Sequence, residues 1–307
     1  KQFNPNEPIS KVINTISSLA FRNNFMKLYN LEALAISYSQ DVANGVNLNG
    51  KVEYQQRKPL FNNTNFSFLN KSDLYSSNNP LDLNDFTTAP FDKHHLTKAT
   101  LNARINFGNK YSSRPDGKFN IRNEKYPTLY LGYEKGFASN EKKYEFDHLN
   151  TRLAYDLILG SKGVLGLNLK AGKFFNAENI AFMDYKHFNG NQTHIGQSER
   201  YLNVFNLLPY YSNSTNNSYF ELHSEYNDKG YIMNKIPLLN KLKSTLNLGF
   251  HSLSTPTNKP YNEITVGLDN LGFGKFKIFR MDYVRSYQGG FKGDGVVFGL
   301  KFLNILE

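Results

Sequence analysis

Leu149-Asn-Thr-Arg-Leu-Ala-Tyr-Asp-Leu157, then Gly160-Ser-Lys-Gly163, then Leu165-Gly-Leu-Asn-Leu-Lys-Ala-Gly172 is the stretch that decides the fold. Leu149, Thr151, Leu153, Tyr155 and Leu157 alternate with Asn150, Arg152, Ala154 and Asp156. Beyond the turn, Leu165, Leu167, Leu169 and Ala171 alternate with Gly166, Asn168, Lys170 and Gly172. A period of two places each set on its own face of a strand, and a short glycine-bounded turn joins two such strands into a hairpin. One face is apolar; the other mixes charges, amides and glycines.

The pattern recurs in both directions. Towards the N-terminus, Leu34, Ile36 and Tyr38 alternate with small residues. After a turn at 42–45, Val46, Leu48, Val52 and Tyr54 alternate with Asn47, Asn49, Lys51 and Glu53. Leu101, Ala103, Ile105 and Phe107 face away from Asn102, Arg104 and Asn106, as do Leu129, Leu131 and Tyr133 from Tyr130, Gly132 and Glu134. Towards the C-terminus, the same reading gives strands around 220–226, 246–251, 264–269, 279–283 and 296–302. That makes eleven strands. An antiparallel bacterial barrel needs an even number. Residues 20–27 are a candidate twelfth, or the barrel is larger and its first strands lie upstream of Lys1.

A soluble sandwich alternates too, with its apolar faces sharing a core. Two features favour a membrane barrel. Small residues mix with paired charges on the polar face, as side chains sharing a lumen require. Long connections at 56–97 and 175–217 are separated mostly by tight ones at 42–45, 160–163 and 271–274, although 109–126 and 228–243 are of medium length. The expected fold is an all-β antiparallel transmembrane β-barrel of at least twelve strands. One short amphipathic helix precedes it, with Ile9, Val12, Ile13, Ile16 and Leu19 on one face and Pro8 as a first-turn proline. Residues 1–27 are read as this helix and lead-in, and 28–307 as a single barrel domain.

Composition fits. No run of eighteen apolar residues occurs in the 307 residues, and the mean hydropathy of −0.54 is too low for a helical membrane protein. A barrel escapes that test because only alternate residues face lipid. The 25 Phe and 20 Tyr suit aromatic girdles. The absence of cysteine excludes disulfides and thiolate chemistry. The net charge of +10 is scattered and forms no basic stripe, so nucleic acid is not an expected partner. With no initiator Met and no signal sequence at Lys1-Gln2-Phe3, the chain is read as processed or as a fragment.

Ala181-Phe-Met-Asp-Tyr-Lys-His-Phe-Asn-Gly-Asn191, Asn234-Lys-Ile-Pro-Leu-Leu-Asn-Lys-Leu-Lys243, Val266-Gly-Leu-Asp-Asn270 and Phe279-Arg-Met-Asp-Tyr-Val284 carry a resemblance. Together they resemble the BamA/TamA-like superfamily of outer-membrane assembly and translocation barrels. The nearest likeness is to a Bacteroidota branch of unknown function that follows a carboxypeptidase-regulatory-like domain. The resemblance implies a large loop folded into the lumen and followed by five strands, which matches 175–217 here. It further implies that the chain is the C-terminal part of a sixteen-stranded barrel. That superfamily's loop motif is Arg-Gly-aromatic; this chain has Arg200-Tyr201 without the glycine, which makes Arg200 the lumen-loop candidate. Gly295, Phe298, Leu300 and Phe302 resemble the C-terminal signal read by the barrel-assembly machinery.

Sites of chemistry are sparse. The seven histidines show no His-Glu-x-x-His and no tetrahedral ligand spacing. Glu221, His223 and Glu225 share one strand face and read as a lumen hydrogen-bond and salt-bridge network, as do Arg152 with Asp156 and Arg280 with Asp282. Glu134 and Asp156 are a further candidate acid pair. No Gly-x-Ser-x-Gly elbow or phosphate loop is present. The expectation is a non-enzymatic barrel without cofactor or metal, set in the bacterial outer membrane with long loops extracellular and the C-terminus periplasmic. Its expected partners are outer-membrane lipid, lipopolysaccharide and other envelope proteins. Its expected role is assembly, translocation or accessory work in envelope biogenesis; a solute transporter or receptor and a soluble binding module or adhesin are the alternatives.

Overall fold

The computed structural model describes residues 1–68, 75–121, 123–196, 200–237, 239–273 and 276–300. One helix, α1 (Lys11–Phe21), precedes the strands β1 (Tyr29–Ala43), β2 (Val46–Pro59), β3 (His94–Asn106), β4 (Lys110–Arg114), β5 (Gly117–Ile121), β6 (Thr128–Phe137) and β7 (Phe146–Ile158). There follow β8 (Val164–Phe175), β9 (Ile195–Gly196), β10 (Ser218–Asn227), β11 (Thr245–Thr255), β12 (Asn258–Phe273), β13 (Phe276–Gln288) and β14 (Phe291–Leu300). Twelve form one sheet in the order β1-β2-β3-β6-β7-β8-β10-β11-β12-β13-β14-β9, and β4 and β5 form a separate hairpin. Every long strand pairs antiparallel with the next long strand in sequence, as expected when short turns join successive hairpins.

All eleven long alternating segments are strands of this sheet. The twelfth strand is not at 20–27, where α1 ends and a lead-in follows, but at Ile195–Gly196, which pairs parallel with β14. The helix also starts later than expected. Ser10 is its N-cap, its hydroxyl accepting from the Ile13 amide at 3.4 Å, and Pro8 lies before it. Of its apolar stripe only Ile13 is buried within the helix, while Val12 and Ile16 are exposed. The medium connection at 109–126 contains the β4–β5 hairpin, and 228–243 winds through two 3-10 turns.

Register keeps the two faces apart. Across β7 and β8, Leu153 faces Leu169 and Tyr155 faces Leu167, while Arg152 faces Lys170 and Asp156 faces Gly166. Burial is inverted relative to a soluble sheet. Leu34, Ile36, Leu101, Leu149, Ile264 and Phe298 are exposed, whereas Glu221, His223, Glu225, Glu263, Arg280 and Asp282 are at most 2 % exposed. A buried polar face beside an exposed apolar one is the informative departure from ordinary patterning.

The connection 176–217 covers the polar face. Its Phe188, Phe205 and Leu208 pack with Phe146, Phe174, Tyr219, Leu253 and Tyr261 of the strands. A second cluster joins Phe3, Tyr29, Phe91, Tyr144, Ala181 and Met183 at the end of the sheet that bears the long connections. At about 4.8 Å between strands, eleven strands laid flat would measure roughly 50 Å across. Yet this one connection bonds with β2, β8, β10, β12 and β13 and lies against β14, so the sheet curls around it. The pairing leaves both ends of the strand order distinct. β14 carries the short β9, and beyond Tyr29 the outer edge of β1 has no strand partner among the described residues.

Candidate functional site

The site is the contact between the connection 176–217 and the polar face of the sheet, made at four places. At the first, Asp184 sits in a 3-10 turn at Phe182–Asp184. It accepts two hydrogen bonds from the Arg57 guanidinium and one from Lys98 at 3.3 Å. Arg57 and Asp184 are each 1 % exposed. Burial pushes the Asp184 carboxyl up, but the charges of Arg57 and Lys98 outweigh it and hold the group at about 2. Lys98 also meets Glu134 at 2.6 Å. Nearby, His187 is fixed by Phe182 O (2.8 Å) and the Ser214 hydroxyl (2.7 Å), and its burial lowers its pKa to about 4.

The second place is a line of three side chains. His223 Nε2 lies 2.7 Å from Glu221 Oε1, and His223 Nδ1 lies 2.9 Å from His251 Nδ1. With the carboxylate able only to accept, His223 donates from Nε2, and when His223 is neutral its Nδ1 accepts from His251 Nδ1. Lys170 meets Glu221 at 2.9 Å, and Lys186 of the connection approaches its other oxygen at 3.9 Å. Phe205 packs its ring over His223 at 4.6 Å between centroids.

At the third place the tip Arg200-Tyr201 docks. Arg200 pairs with Asp156 at 2.8 Å and reaches Glu225 at 3.9 Å. The Tyr201 amide donates to Glu225 (3.0 Å), and the Arg280 guanidinium lies over the Tyr201 ring at 3.9 Å. Arg280 in turn bridges Glu225 (2.9 Å) and Asp282 (2.7 Å). Glycines make the room. A Cβ on Gly166 would overlap the Arg200 guanidinium, and one on Gly299 would come within 3.0 Å of the Tyr201 hydroxyl. The fourth place is Glu263, whose two oxygens accept the Asn206 and Leu207 amides at 2.7 and 2.8 Å and the Tyr261 hydroxyl at 2.6 Å. Charge-assisted bonds of this kind hold a loop backbone more firmly than neutral ones.

The residues read as one network thus fall into separate groups. Glu221 and His223 belong together, but Glu225, on the same strand face, bonds Arg280, Asp282 and the loop tip instead. Asp156 meets Arg200 and not Arg152. Arg152 bonds the Asn168 side chain at 2.8 Å and lies over Tyr130. Glu134 and Asp156 are not a pair of acids, since each has its own cation. Gly295, Phe298 and Leu300 lie on β14, with Gly295 against His194 and Leu207 and Phe298 exposed on the opposite face. Phe302 lies outside the described residues. Among the described residues no three His, Cys, Asp or Glu side chains are grouped to hold a metal ion.

The sequence reading missed Arg57, Lys98, Asp184, Lys170, His251 and Glu263 as partners. Asp184 lies within the quoted Ala181–Asn191 stretch, and the others obey the same alternation, which names their face but not their neighbours.

Residues 1–268 match the family model described as "Family of unknown function (DUF5686) C-terminal domain". The chain belongs to that family. The match covers β1 to most of β12, so the DUF5686 C-terminal domain includes the whole 176–217 connection and most of its contacts. No curated protein matches the chain. The crystal structure of the beta domain of the Bordetella autotransporter Brka is similar over 88% of this chain and 88% of that chain, at 9% identity and a TM-score of 0.24. That likeness is too slight to carry an argument about the DUF5686 C-terminal domain.

Proposed function

We propose that this DUF5686 C-terminal domain is a non-enzymatic outer-membrane β-barrel of the BamA/TamA-like type, acting in envelope biogenesis as an assembly, translocation or accessory subunit. The observation that carries the reading is the inverted burial: apolar side chains exposed on every long strand, and acidic and basic side chains sealed beneath a loop on the other face. In water such an exterior is a large aggregation liability, whereas in a bilayer it is the required surface. The docked Arg200-Tyr201 tip supports the superfamily resemblance, because a large loop folded against the inner, polar face and followed by five strands is what that resemblance implies.

A solute channel is the second reading. The clamped 176–217 connection weighs against it, since Asp184, Arg200 and Glu263 hold that segment across the space a solute would use. On the assembly reading, the edge of β1 that has no strand partner among the described residues offers main-chain groups to an incoming strand. Long loops then lie outside the cell and the C-terminus faces the periplasm; lipid, lipopolysaccharide and other envelope proteins are the partners.

Membrane fractionation followed by electrophoresis with and without heating tests the class. Recovery only with detergent, together with a heat-dependent change in mobility, is expected; recovery in the soluble fraction without either would sink the membrane reading. Depletion in cells separates the roles. Loss of other outer-membrane proteins supports assembly, and loss of uptake of one solute with a normal protein profile overturns it.

A further inference from the structure

The apolar face is not uniform. One cross-strand row runs Leu48, Ala103, Leu131, Thr151, Ala171 over β2, β3, β6, β7 and β8. The next row runs Leu101, Tyr133, Leu149, Lys173. Three small side chains, Ala103, Thr151 and Ala171, sink the first row below its neighbours. The backbones of Gly132 and Gly172 add floor, since any Cβ at either would point at Asn150 or Tyr219 on the other face. The result is a groove of about 590 Å³ walled by Leu48, Leu101, Leu131, Tyr133 and Leu149, with Lys173 at its rim. From Ala103 to Ala171 it crosses three strand spacings, roughly 14 Å.

The charges at the rim do not cancel. Lys135 meets Asp147 at 3.0 Å, and Asp147 also accepts from the Tyr133 hydroxyl at 2.5 Å. That pair is neutral. Lys173 is exposed on the same side, with its ammonium 5.3 Å from the Phe175 ring and no carboxylate partner among the described residues. A lone ammonium above an apolar trough, flanked by aromatic rings, matches a molecule with a negative head and a hydrocarbon tail.

We propose that this groove is a binding site for a phosphate-bearing anionic lipid, with an acyl chain lying across Ala103, Thr151 and Ala171 and the phosphate at Lys173. The proposal rests on the reading that the apolar face meets the bilayer. It goes beyond that reading by selecting one place on the face and one lipid charge. Around Val266, the neighbouring outward residues Leu248 and Tyr283 are large, and the cation on that part of the face, Arg285, stands opposite the carboxylate residue Asp294.

The chain has no tryptophan, so one introduced indole reports its own surroundings. Leu101→Trp places it in the groove and Val266→Trp on the same face elsewhere. Each full-length variant is reconstituted in phosphatidylcholine vesicles in which brominated acyl chains are carried either on phosphatidylcholine or on a minor fraction of phosphatidylglycerol. Bromine on phosphatidylcholine is expected to quench both indoles alike. On phosphatidylglycerol it should quench the groove indole about fivefold more per mole of lipid than the distant one, the ratio one lysine supplies at a membrane surface. Lys173→Gln should erase that difference, and Ala171→Leu should reduce quenching in the groove from both lipids. Equal quenching by phosphatidylglycerol at the two sites overturns the lipid site alone. Absence of quenching at both sites by either lipid overturns the membrane reading as well.

Discussion

Asp184→Asn removes one charge from a pair in which both members are 1 % exposed. Lys98 keeps Glu134 as a partner, but Arg57 is left with no carboxylate, only the Gln55 oxygen at 2.6 and 2.9 Å and the His94 ring nitrogen at 3.4 Å. Leaving a buried guanidinium without its carboxylate costs about 3–5 kcal/mol. The cost falls first on the segment that Asp184 anchors. The Lys186 amide, bonded to Thr215 O at 2.8 Å, and the Tyr185 amide, bonded to Phe182 O at 3.2 Å, should exchange their hydrogens roughly two to four orders of magnitude faster, each decade being about 1.4 kcal/mol. The Asn206 and Leu207 amides are held by Glu263 and should change by less than about fivefold. The sign of the pH dependence follows from the depressed carboxyl. Its stabilisation is complete above the unfolded value near 4 and is lost as pH falls through about 2, so only below pH 4 should the unmodified protein approach the variant. Unchanged exchange at Tyr185 and Lys186, or an equal rise along all of 176–217, would refute the idea that this pair anchors its own stretch of the connection.

Three other experiments probe separate parts. Gly166→Val should expel the Arg200 guanidinium from its place beside Asp156, and trypsin cleavage after Arg200 in the folded protein should rise about tenfold or more; continued resistance would mean that Tyr201 alone fixes the tip. Arg280→Met leaves Asp282 without its cation and Glu225 with only the more distant Arg200, and should lower stability by about 3–5 kcal/mol, read as a drop in the temperature of the heat-dependent mobility change. Adding Glu225→Gln and Asp282→Asn to Arg280→Met should recover much of that loss. Val266→Arg, on the exposed apolar face, should cost about 2–4 kcal/mol in a bilayer if it sits at the midplane, against almost nothing at a water-facing position. Denaturant titration of the reconstituted protein measures the difference.

Alternation made every long strand legible because a side-chain period of two depends on local backbone geometry alone. Leu149 to Leu157 and Leu165 to Ala171 are read from the sequence and recur in the structure with the same residues on the same faces. What is not local is not legible. Asp184 meets Arg57 across 127 positions, and nothing in either stretch announces the other. The split within Glu221, His223 and Glu225 has the same origin. Period two sets all three on one face, but whether Glu225 turns to His223 or to Arg280 depends on a strand 55 residues away. The twelfth strand escaped because Ile195–Gly196 contains no alternation to detect, only a partner in β14. The start of α1 was misplaced because Pro8 and Ser10 both mark helix starts, and only the hydroxyl's bond to the Ile13 amide decides between them.

The four clamps on 176–217 also impose an order of events. Each draws on strands made at a different moment as the chain grows: Asp184 needs β2 and β3, Lys186 needs β10, the Arg200-Tyr201 tip needs β7, β10 and β13, and the backbone at Asn206 needs β12. Strand pairing joins sequence neighbours and can proceed hairpin by hairpin, yet the connection settles only once wall segments on either side of it exist. A chain stopped before β13 should pair its earlier strands and still leave Tyr201 and its neighbours open to protease, so that surveillance enzymes could tell an unfinished molecule from a finished one by a single loop.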